Sequence, residues 1–305
     1  MIRRIVAWLA SHGITDLVLN LHHRPDTIAA VVGDGSDLGV HVRYSWEQPA
    51  VLGSGGGPRL ALPIVGSGVF LIVNGDTLTD VDVSALAQAH ERSTALVTLA
   101  LVPNREFDRY GGVTVDDDGR VVGFMRRGPG AEGSYHYIGV QVANAEAFAG
   151  VRAGDAVSSI GGVYDTLMAA RPGSVRGFVC DAAFWDVGTV TDYWRTSWAF
   201  ESATSASALR ATASQPAPDA GLAKPKRARV VDARRLGQTP VIDGSARVTN
   251  SILWDDVEIG ADAVIDECIL TDGVRIPAGA AYRRMAIVRA PTGGLTAAPF
   301  DTGFR

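Results

Sequence analysis

The segment 242–258 reads IDGSARVTNSILWDDVE, and its pattern returns 17 residues later as IGADAVIDECILTDGVR and then as IPAGAAYRRMAIV. Aliphatic residues lie about six apart in each unit, and a small residue stands four positions after the first of them. The matching positions are Ile242/Ile259/Ile276, Ala246/Ala263/Ala280, Val248/Ile265/Tyr282 and Leu253/Leu270/Ile287. Such a period is typical of a β-solenoid, in which short strands stack and aliphatic side chains point inward.

The repeat spacing resembles the hexapeptide repeat of left-handed β-helices. It predicts a short left-handed β-helix over residues 230–290, followed by a tail at 291–305. A solenoid of three coils leaves an apolar end to be covered. We therefore expect the β-helix to pack against another domain or to form a homo-oligomer.

Residues 1–200 alternate helical and strand patterns instead. The apolar spacing predicts helices at 2–9, 25–32 and 83–90, and strands at 16–21, 40–44, 70–73, 95–102, 112–115, 120–124, 135–142 and 175–180. Repeated alternation of strand and helix favours an α/β fold with a mostly parallel sheet between two helical layers. The prediction for residues 1–200 is a three-layer domain of that kind.

Residues 201–229 have a different composition, rich in Ala, Ser and Pro and without an aromatic residue. Such a segment buries too little apolar surface to offset its ordering entropy, so we predict a flexible linker. Its KPKR run at 224–227 is interpreted as part of a solvated linker rather than as a nucleic-acid or targeting patch.

Composition excludes several functional classes. The chain has 305 residues, 47% of them hydrophobic, and a net charge of −5, which argues against a nucleic-acid partner or a polybasic membrane patch. No apolar run reaches the roughly 18 residues of a membrane span, and no signal peptide is evident. Cys180 and Cys268 lie far apart and are interpreted as small core residues, so we predict a cytoplasmic protein. Lys224 and Lys226 are the only lysines, so residues 1–200 have no lysine for chemistry.

The first candidate for chemistry is Asn74-Gly75-Asp76, which follows the apolar strand 70–73. A carboxylate at the end of a parallel strand, beside a glycine that lets a ligand approach, is well placed to hold Mg²⁺ against phosphates. The alternative is a turn acid that caps the next segment. A second acid, Asp186 in Trp185-Asp186-Val187-Gly188-Thr189, could complete the metal site or serve a structural role.

The third candidate is the glycine loop LGSGGG at 52–57, which precedes a predicted short helix. Its backbone N–H groups could contact a base, a ribose or a phosphate. The loop lacks the Gly-Lys-Ser/Thr ending of a P-loop and does not match a dinucleotide-binding fingerprint. A plain flexible loop is the alternative.

Taken in order, these segments resemble the sugar-1-phosphate nucleotidyltransferases, particularly the bacterial mannose-1-phosphate guanylyltransferase-like group with its GT-A/Rossmann-like sheet. The resemblance covers nearly the whole chain. It is carried by Gln48 with the loop at 52–56, the segment VNGDT at 73–77, Arg109-Tyr110-Gly111, GVQV at 139–142, WDVGT at 185–189 with Asp192-Tyr193, and the β-helix.

By this resemblance, Asp76 and Asp186 match the two aspartates that bind Mg²⁺. Gln48, Gly53 and Ser54, with Gly55 beside them, match the loop that contacts the nucleobase, and Gly111 matches a backbone contact to the sugar. Where the family often carries Glu-Lys, this sequence has Arg126 and Arg127, which are candidates to hold the sugar phosphate, and His136 lies near the sugar-side strand as a candidate substrate neighbour. The two arginines could equally be solvated turn residues. The implied reaction joins a nucleoside triphosphate, GTP by the nearest resemblance, to a sugar 1-phosphate and releases pyrophosphate. Catalysis would rest on positioning and on charge neutralisation by Mg²⁺ and cationic side chains.

The sequence departs from the family pattern at its beginning. The family opens with a strand, a Gly-x-Gly-Thr-Arg segment and a Pro-Lys-Pro element, whereas this sequence begins with the amphipathic helix 2–9. We therefore expect strands 16–21 and 70–73 to lack a neighbour between them, and the chain as written to be weakly active or inactive.

Three other functions are alternatives. A catalytically disabled, nucleotide-binding regulatory subunit would explain the departure at the beginning. A glycosyltransferase of the same sheet architecture normally carries Asp-x-Asp, where this sequence has Asn74-Gly75-Asp76. A hexapeptide acyltransferase normally needs a histidine base, and all six histidines precede the repeats.

Overall fold

A computed structural model describes residues 1–202, 229–230, 240–290 and 293–300. The chain divides into two compact units, Met1–Asp186 and Val187–Arg305. Most of the predicted linker, residues 203–228, lies outside the described residues. No helix among the described residues is long and apolar enough to cross a membrane.

The helices and strands follow the predicted alternation closely. The α-helices are α1 (Ile2–Ser11), α2 (Pro25–Val32), α3 (Gly53–Val65), α4 (Val83–Glu91), α5 (Glu146–Ala149), α6 (Tyr164–Ala170) and α7 (Val190–Ser202). The strands of the first unit are β1 (Asp16–Leu21), β2 (His41–Trp46), β3 (Val69–Val73), β4 (Thr77–Thr79), β5 (Val97–Pro103), β6 (Gly112–Val115), β7 (Val121–Met125), β8 (Tyr135–Asn144), β9 (Val175–Val179) and β10 (Phe184–Asp186).

The central sheet has six strands, in the order β7-β6-β8-β5-β9, with β3 also paired to β8. Strands β3, β5 and β6 all run antiparallel to β8, and β9 runs parallel to β5. Four strands thus share one direction, in line with the predicted mostly parallel sheet. The pairing is nonetheless mixed, because β7 and the ten-residue β8 run the other way, so that β5 with β9 is the one parallel pairing of the five described in this sheet.

Side chains on the two faces of this sheet form separate cores. Leu99 and Leu101 of β5 are fully buried on one face with Phe148 and Tyr164 of α5 and α6. Ala100 and Val102 alternate to the other face, where they pack with Leu86 of α4 and with Ile138, Val140 and Val142. Alternation along a strand therefore produces the predicted three layers, with helices on both faces of the sheet.

Strands β1 and β2 form a separate parallel pair beneath α1 and α2. Ile5, Val6 and Leu9 of α1 pack there against Leu17, Val32, Val40 and Val42. Leu71 and Val73 of β3 join the same cluster, but no described backbone pairing links β1 to β3.

The repeat region forms three parallel sheets in the second unit. Its strands are β11 (Arg229–Val230), β12 (Val241–Ile242), β13 (Arg247–Thr249), β14 (Ile252–Leu253), β15 (Glu258–Ile259), β16 (Val264–Asp266), β17 (Ile269–Leu270), β18 (Arg275–Ile276), β19 (Ala281–Arg283), β20 (Met285–Arg289) and β21 (Leu295–Pro299). Equivalent residues pair 17 positions apart, for example Ile242 with Ile259 and Ile259 with Ile276. This register is the one that the sequence repeat predicts for a β-helix.

Aliphatic side chains fill the β-helix as predicted. Leu253, Leu270 and Ile287 have no exposed surface, and Ile259, Ile265 and Cys268 are buried with them. Tight corners recur at the same period, since Asn250, Glu267 and Arg284 all adopt positive φ. In the coil nearest the beginning of the repeat, Ile242 is 38% exposed, because no full coil covers it on that side among the described residues.

Two elements cover other parts of the β-helix. Strand β21, which falls in the predicted tail, reverses direction and pairs antiparallel with β20, ending the parallel ladder. Helix α7 packs Tyr193 and Trp194 against Ile252 and Ile269, residues that face away from the core of the coils. The Trp194 indole N–H also donates a hydrogen bond to the Asn250 carbonyl at 2.8 Å.

Candidate active site

Two aspartates from distant parts of the sequence lie at a two-stranded ladder of the first unit. Strand β4 pairs antiparallel with β10, and Asp186 lies opposite Thr77 in that ladder. Asp76 lies in the turn directly before Thr77, so the backbone positions of the two acids are close together. Asp76 is exposed, and the Asp186 side chain is 29% exposed. The structure therefore brings both predicted metal-binding residues to one edge that solvent reaches.

The turn that carries Asp76 is held by the neighbouring strand. The Asn74 N–H donates to the Gly139 carbonyl at 2.8 Å. Gly139 has φ of +77°, and a Cβ on it would lie 2.9 Å from the Asn74 side chain. A larger residue at 139 would be strained and would push the turn away, so glycine at this position fixes where Asp76 emerges.

Arg109 faces Asp186 from the loop between β5 and β6. Its Nη2 lies 3.6 Å from the Asp186 Oδ2, and its Nη1 lies 3.7 Å from the Glu106 Oε2. The guanidinium carbon is 4.8 Å from the centre of the Tyr110 ring, a cation–π distance. The site thus contains a positive charge beside one of its two acids.

His136 lies in an aromatic cluster below this loop. Its ring stacks on Tyr110 at 4.1 Å between centroids, and Phe184 contacts both rings at 5.0 and 5.7 Å. Burial lowers the pKa of His136 to about 4, and the nearby Arg109 charge acts in the same direction, whereas a hydrogen bond with the Gly111 backbone opposes the shift. The imidazole is therefore neutral at pH 7, so it offers a substrate no positive charge.

Gly111, Arg126 and Arg127 lie close to the same loop. Gly111 is exposed, and a Cβ on it would lie 2.8 Å from the Met125 carbonyl oxygen, so the two chain segments are in close contact. Both arginines follow β7 and are exposed. The Gly128 N–H donates to the Phe107 carbonyl at 2.7 Å, which ties the turn containing the arginines to the loop containing Arg109.

The glycine loop packs against segment 155–158. The N–H groups of Gly55 and Gly56 both donate to the Val157 carbonyl, at 2.8 and 3.2 Å. A Cβ on Gly56 would lie 2.3 Å from the Asp155 carbonyl oxygen. The Gly55 N–H is thus already used in a hydrogen bond within the protein, whereas Gly53 and Ser54 are exposed at the first turn of α3. Ser54 accepts a hydrogen bond from the Ser159 N–H at 2.9 Å.

A buried carboxylate holds the other side of this loop. Glu47 is 4% exposed, and its carboxylate accepts hydrogen bonds from the Asn20 side-chain amide and the Leu52 N–H. Gln48 follows it with an exposed side chain and a cis peptide bond to Pro49. Glu47 therefore connects the end of β2 with the beginning of α3 and fixes the loop on which Gln48 and Ser54 lie.

A family model described as nucleotidyl transferase matches residues 1–202. The chain belongs to the nucleotidyl transferase family. A second model, described as GlmU-like C-terminal hexapeptide, matches residues 228–282, the repeat region. The family resemblance that the motifs indicated is confirmed, as is the predicted pairing of an α/β domain with a hexapeptide β-helix.

Named relatives extend this result. The mannose-1-phosphate guanylyltransferase of Mycobacterium tuberculosis is 28% identical over 92% of this chain and 73% of its own length. The N-acetylmuramate α-1-phosphate uridylyltransferase of Neisseria meningitidis is 33% identical over 61% of this chain and 80% of its own length. The crystal structure of HddC from Yersinia pseudotuberculosis with GMP-PN covers 65% of this chain and 84% of its own, with a TM-score of 0.56 and 22% identity, and shows the same fold.

The acids of this nucleotidyl transferase suit Mg²⁺ better than a metal that needs a full protein cage. Among the described residues, no group of three or more His, Cys, Asp and Glu side chains could hold a metal ion. Asp76 and Asp186 would supply two carboxylate ligands and leave the remaining positions open. Mg²⁺ is commonly bound in that way, by one or two carboxylates together with water and substrate phosphates.

Two residues of this nucleotidyl transferase site, Arg109 and Glu47, were not predicted from the sequence to have a role in it. Arg109 belongs to the Arg109-Tyr110-Gly111 motif, and the lack of lysine in residues 1–200 indicates that arginine supplies positive charge there. Glu47 had no such signal, because its role depends on a buried contact with Asn20, which is 27 positions away.

Proposed function

We propose that this nucleotidyl transferase joins a nucleoside triphosphate to a sugar 1-phosphate, giving a nucleoside diphosphate sugar and pyrophosphate. An oxygen of the sugar phosphate forms a bond to the α-phosphorus, and the bond from that phosphorus to the pyrophosphate oxygen breaks. Both reactants are anions, so the protein must position them in line and neutralise their charge.

The observation that carries this proposal is the β4–β10 ladder, which sets Asp186 opposite Thr77 and therefore beside Asp76. Two carboxylates on one exposed edge are a suitable pair of ligands for Mg²⁺. Bound there, Mg²⁺ would neutralise charge on the phosphates and orient them. In this proposal the acids serve as metal ligands rather than as general acids or bases.

We further propose that the loop holding Gln48, Gly53, Ser54 and Gly55 contacts the nucleobase. The exposure of Gln48, Gly53 and Ser54 supports that role, whereas Gly55 would act through loop geometry, because its amide already donates to Val157. Gly111, Arg126 and Arg127 would receive the sugar phosphate, and both arginines are free to turn toward an anion in solvent. His136 would contact substrate only as a neutral ring beside Gly111.

Guanine and mannose are the proposed base and sugar. Their support is the name of the M. tuberculosis relative, which matches 92% of this chain. The uridylyltransferase among the relatives makes uracil the first competitor. A difference in base should depend on the loop at 47–54, since the acids at 76 and 186 contact phosphates in either case.

The test is a pyrophosphate-release assay on the full chain with Mg²⁺, offering each of GTP, UTP, ATP, CTP and dTTP with mannose 1-phosphate and glucose 1-phosphate. The same ten mixtures are examined for substrate binding by thermal shift. Turnover with GTP and mannose 1-phosphate above the other pairs is the expected result, and a preference for another pair would replace the proposed base or sugar.

Binding of a triphosphate without turnover for any pair would favour the regulatory subunit over the enzyme. Failure to bind any of the five triphosphates would contradict the proposed function as a whole.

A further inference from the structure

Arg109 occupies a position that the proposed metal and the proposed phosphates would both influence. Its guanidinium lies 3.6 Å from Asp186 and 3.7 Å from Glu106, and its side chain is 36% exposed. These are long ion-pair distances at a partly solvated place, and pairs of that kind contribute little to stability. The guanidinium is therefore held near Asp186 by a contact that can be exchanged for another anion.

The aromatic cluster keeps Arg109 in this place. Tyr110 lies under the guanidinium and is stacked on His136, and both rings contact Phe184. Phe184 lies two residues before Asp186 on β10, so the cluster joins the loop carrying Arg109 to the strand carrying the acid. The cluster adds no competing charge, because burial keeps His136 neutral at pH 7.

The types of cationic side chain in this part of the chain make Arg109 a candidate to bind phosphates. Residues 1–200 contain no lysine, so arginines are the permanently charged cations that this part of the chain can offer near Asp76 and Asp186. Arg109 forms an ion pair with Asp186, one of the two acids. A guanidinium can bind phosphate oxygens with two parallel hydrogen bonds, which makes it a strong partner for a triphosphate.

We propose that Arg109 is an exchangeable counter-ion that opposes binding of free divalent cations at Asp186 and turns to the triphosphate when the nucleotide binds. The inference deepens the proposed function and rests on it. In the absence of nucleotide, a positive charge beside Asp186 weakens the attraction of the carboxylate for a cation. When the triphosphate binds, the same charge gains a new anionic partner, and Asp186 becomes available to the metal.

This role predicts opposite effects of one substitution on two ligands. Arg109→Gln removes the charge that competes with a cation, so the cation should bind more tightly. It also removes a phosphate contact, so a triphosphate should bind more weakly when no metal is present. If Arg109 merely supported the fold, its substitution would weaken the binding of both the cation and the triphosphate, or of neither.

The experiment uses the full chain freed of metal and two probes that do not depend on the base. Mn²⁺ binding without nucleotide is measured by electron paramagnetic resonance, and binding of inorganic tripolyphosphate in EDTA is measured by calorimetry. For Arg109→Gln we expect Mn²⁺ to bind roughly tenfold more tightly and tripolyphosphate roughly tenfold more weakly. Arg109→Lys keeps the charge and should remain closer to the unsubstituted protein in both measurements.

Arg105→Gln is the matched control, because Arg105 is exposed on the same loop, and it should leave both affinities unchanged. Asp186→Ala should weaken Mn²⁺ binding and strengthen tripolyphosphate binding, since it releases Arg109. If Asp186→Ala weakens Mn²⁺ binding but Arg109→Gln moves neither affinity, or moves both in one direction, the inference is wrong. If neither Asp76→Ala nor Asp186→Ala alters Mn²⁺ binding, the metal site of the proposed function fails instead.

Discussion

The β-helix and the α/β unit differ in how far apart in sequence their decisive contacts lie. In the β-helix, equivalent residues from β12 onward pair 17 positions apart between successive coils, as Ile252 does with Ile269. In the α/β unit, the pair that builds the site joins Thr77 with Asp186, which are 109 positions apart. A repeat thus shows its own register in the sequence, whereas the site depends on the course of the whole sheet.

Changes at the site of the α/β unit should affect turnover, and changes in the core of the β-helix should affect stability. The largest expected effect is on turnover. Asp76→Ala or Asp186→Ala should lower nucleotidyl transfer by about 10³-fold, because each removes a proposed metal ligand at the reacting phosphates. The melting temperature should change little, since Asp76 is exposed and Asp186 is partly exposed. The measurements are pyrophosphate release and thermal unfolding.

Asp117→Ala serves as the control for charge alone, because Asp117 is exposed in the loop between β6 and β7. Near-normal turnover with Mg²⁺ in either site variant would remove the acids from the mechanism.

The β-helix should respond to a core change rather than to a change of charge. Leu270→Ala should destabilise the second unit by about 3 kcal/mol, because it leaves a cavity in a coil whose neighbours are fully buried. Urea unfolding followed by circular dichroism should show a lower midpoint for the transition of that unit.

Val264→Ala tests whether inward orientation matters, since Val264 lies on the same coil but is 42% exposed. Equal losses from the two substitutions would mean that the coils are not packed inward at position 270.

The glycine loop provides a packing test inside the α/β unit. Gly56→Ala should cost roughly 2 kcal/mol, because the added Cβ would lie 2.3 Å from the Asp155 carbonyl oxygen, which is backbone and cannot turn aside. Gly68→Ala is the matched control, since nothing lies within 4 Å of a Cβ there. Similar urea midpoints for the two variants would show that segment 155–158 does not press on the loop.

The smallest effect concerns acid stability at His136. Its pKa falls from 6.5 to about 4 on folding, so between these values the unfolded chain binds a proton that the folded protein does not. Stability from this residue is therefore present above pH 6.5 and lost as the pH falls toward 4, by about 1–2 kcal/mol between pH 7 and 5. His136→Gln should flatten that part of a plot of unfolding free energy against pH.

His12→Gln, at the end of α1, is the comparison for loss of any histidine, because His12 is exposed. An unchanged slope in His136→Gln would mean that this imidazole is not buried as a neutral ring.

Much of the α/β unit could be predicted because its elements are locally encoded. The predicted helix 25–32 and strand 16–21 coincide with α2 and β1, since Pro25 favours a helix start and the run DLVLNL favours a strand. The short strands β4 and β10 were not predicted. Each strand has only three residues, which is too short to show a periodic pattern in the sequence. The two strands form because they pair with each other.

The sequence by itself determined the three-layer α/β unit, the 17-residue register of the β-helix and the family, because periodic apolar residues and local motifs encode each of them. Only the tertiary structure decided that Asp76 and Asp186 are neighbours, that Arg109 faces Asp186, and that the Gly55 amide is already engaged. The physical reason is that these contacts join segments far apart in the chain. Their geometry follows from strand pairing and packing that no short stretch of residues specifies.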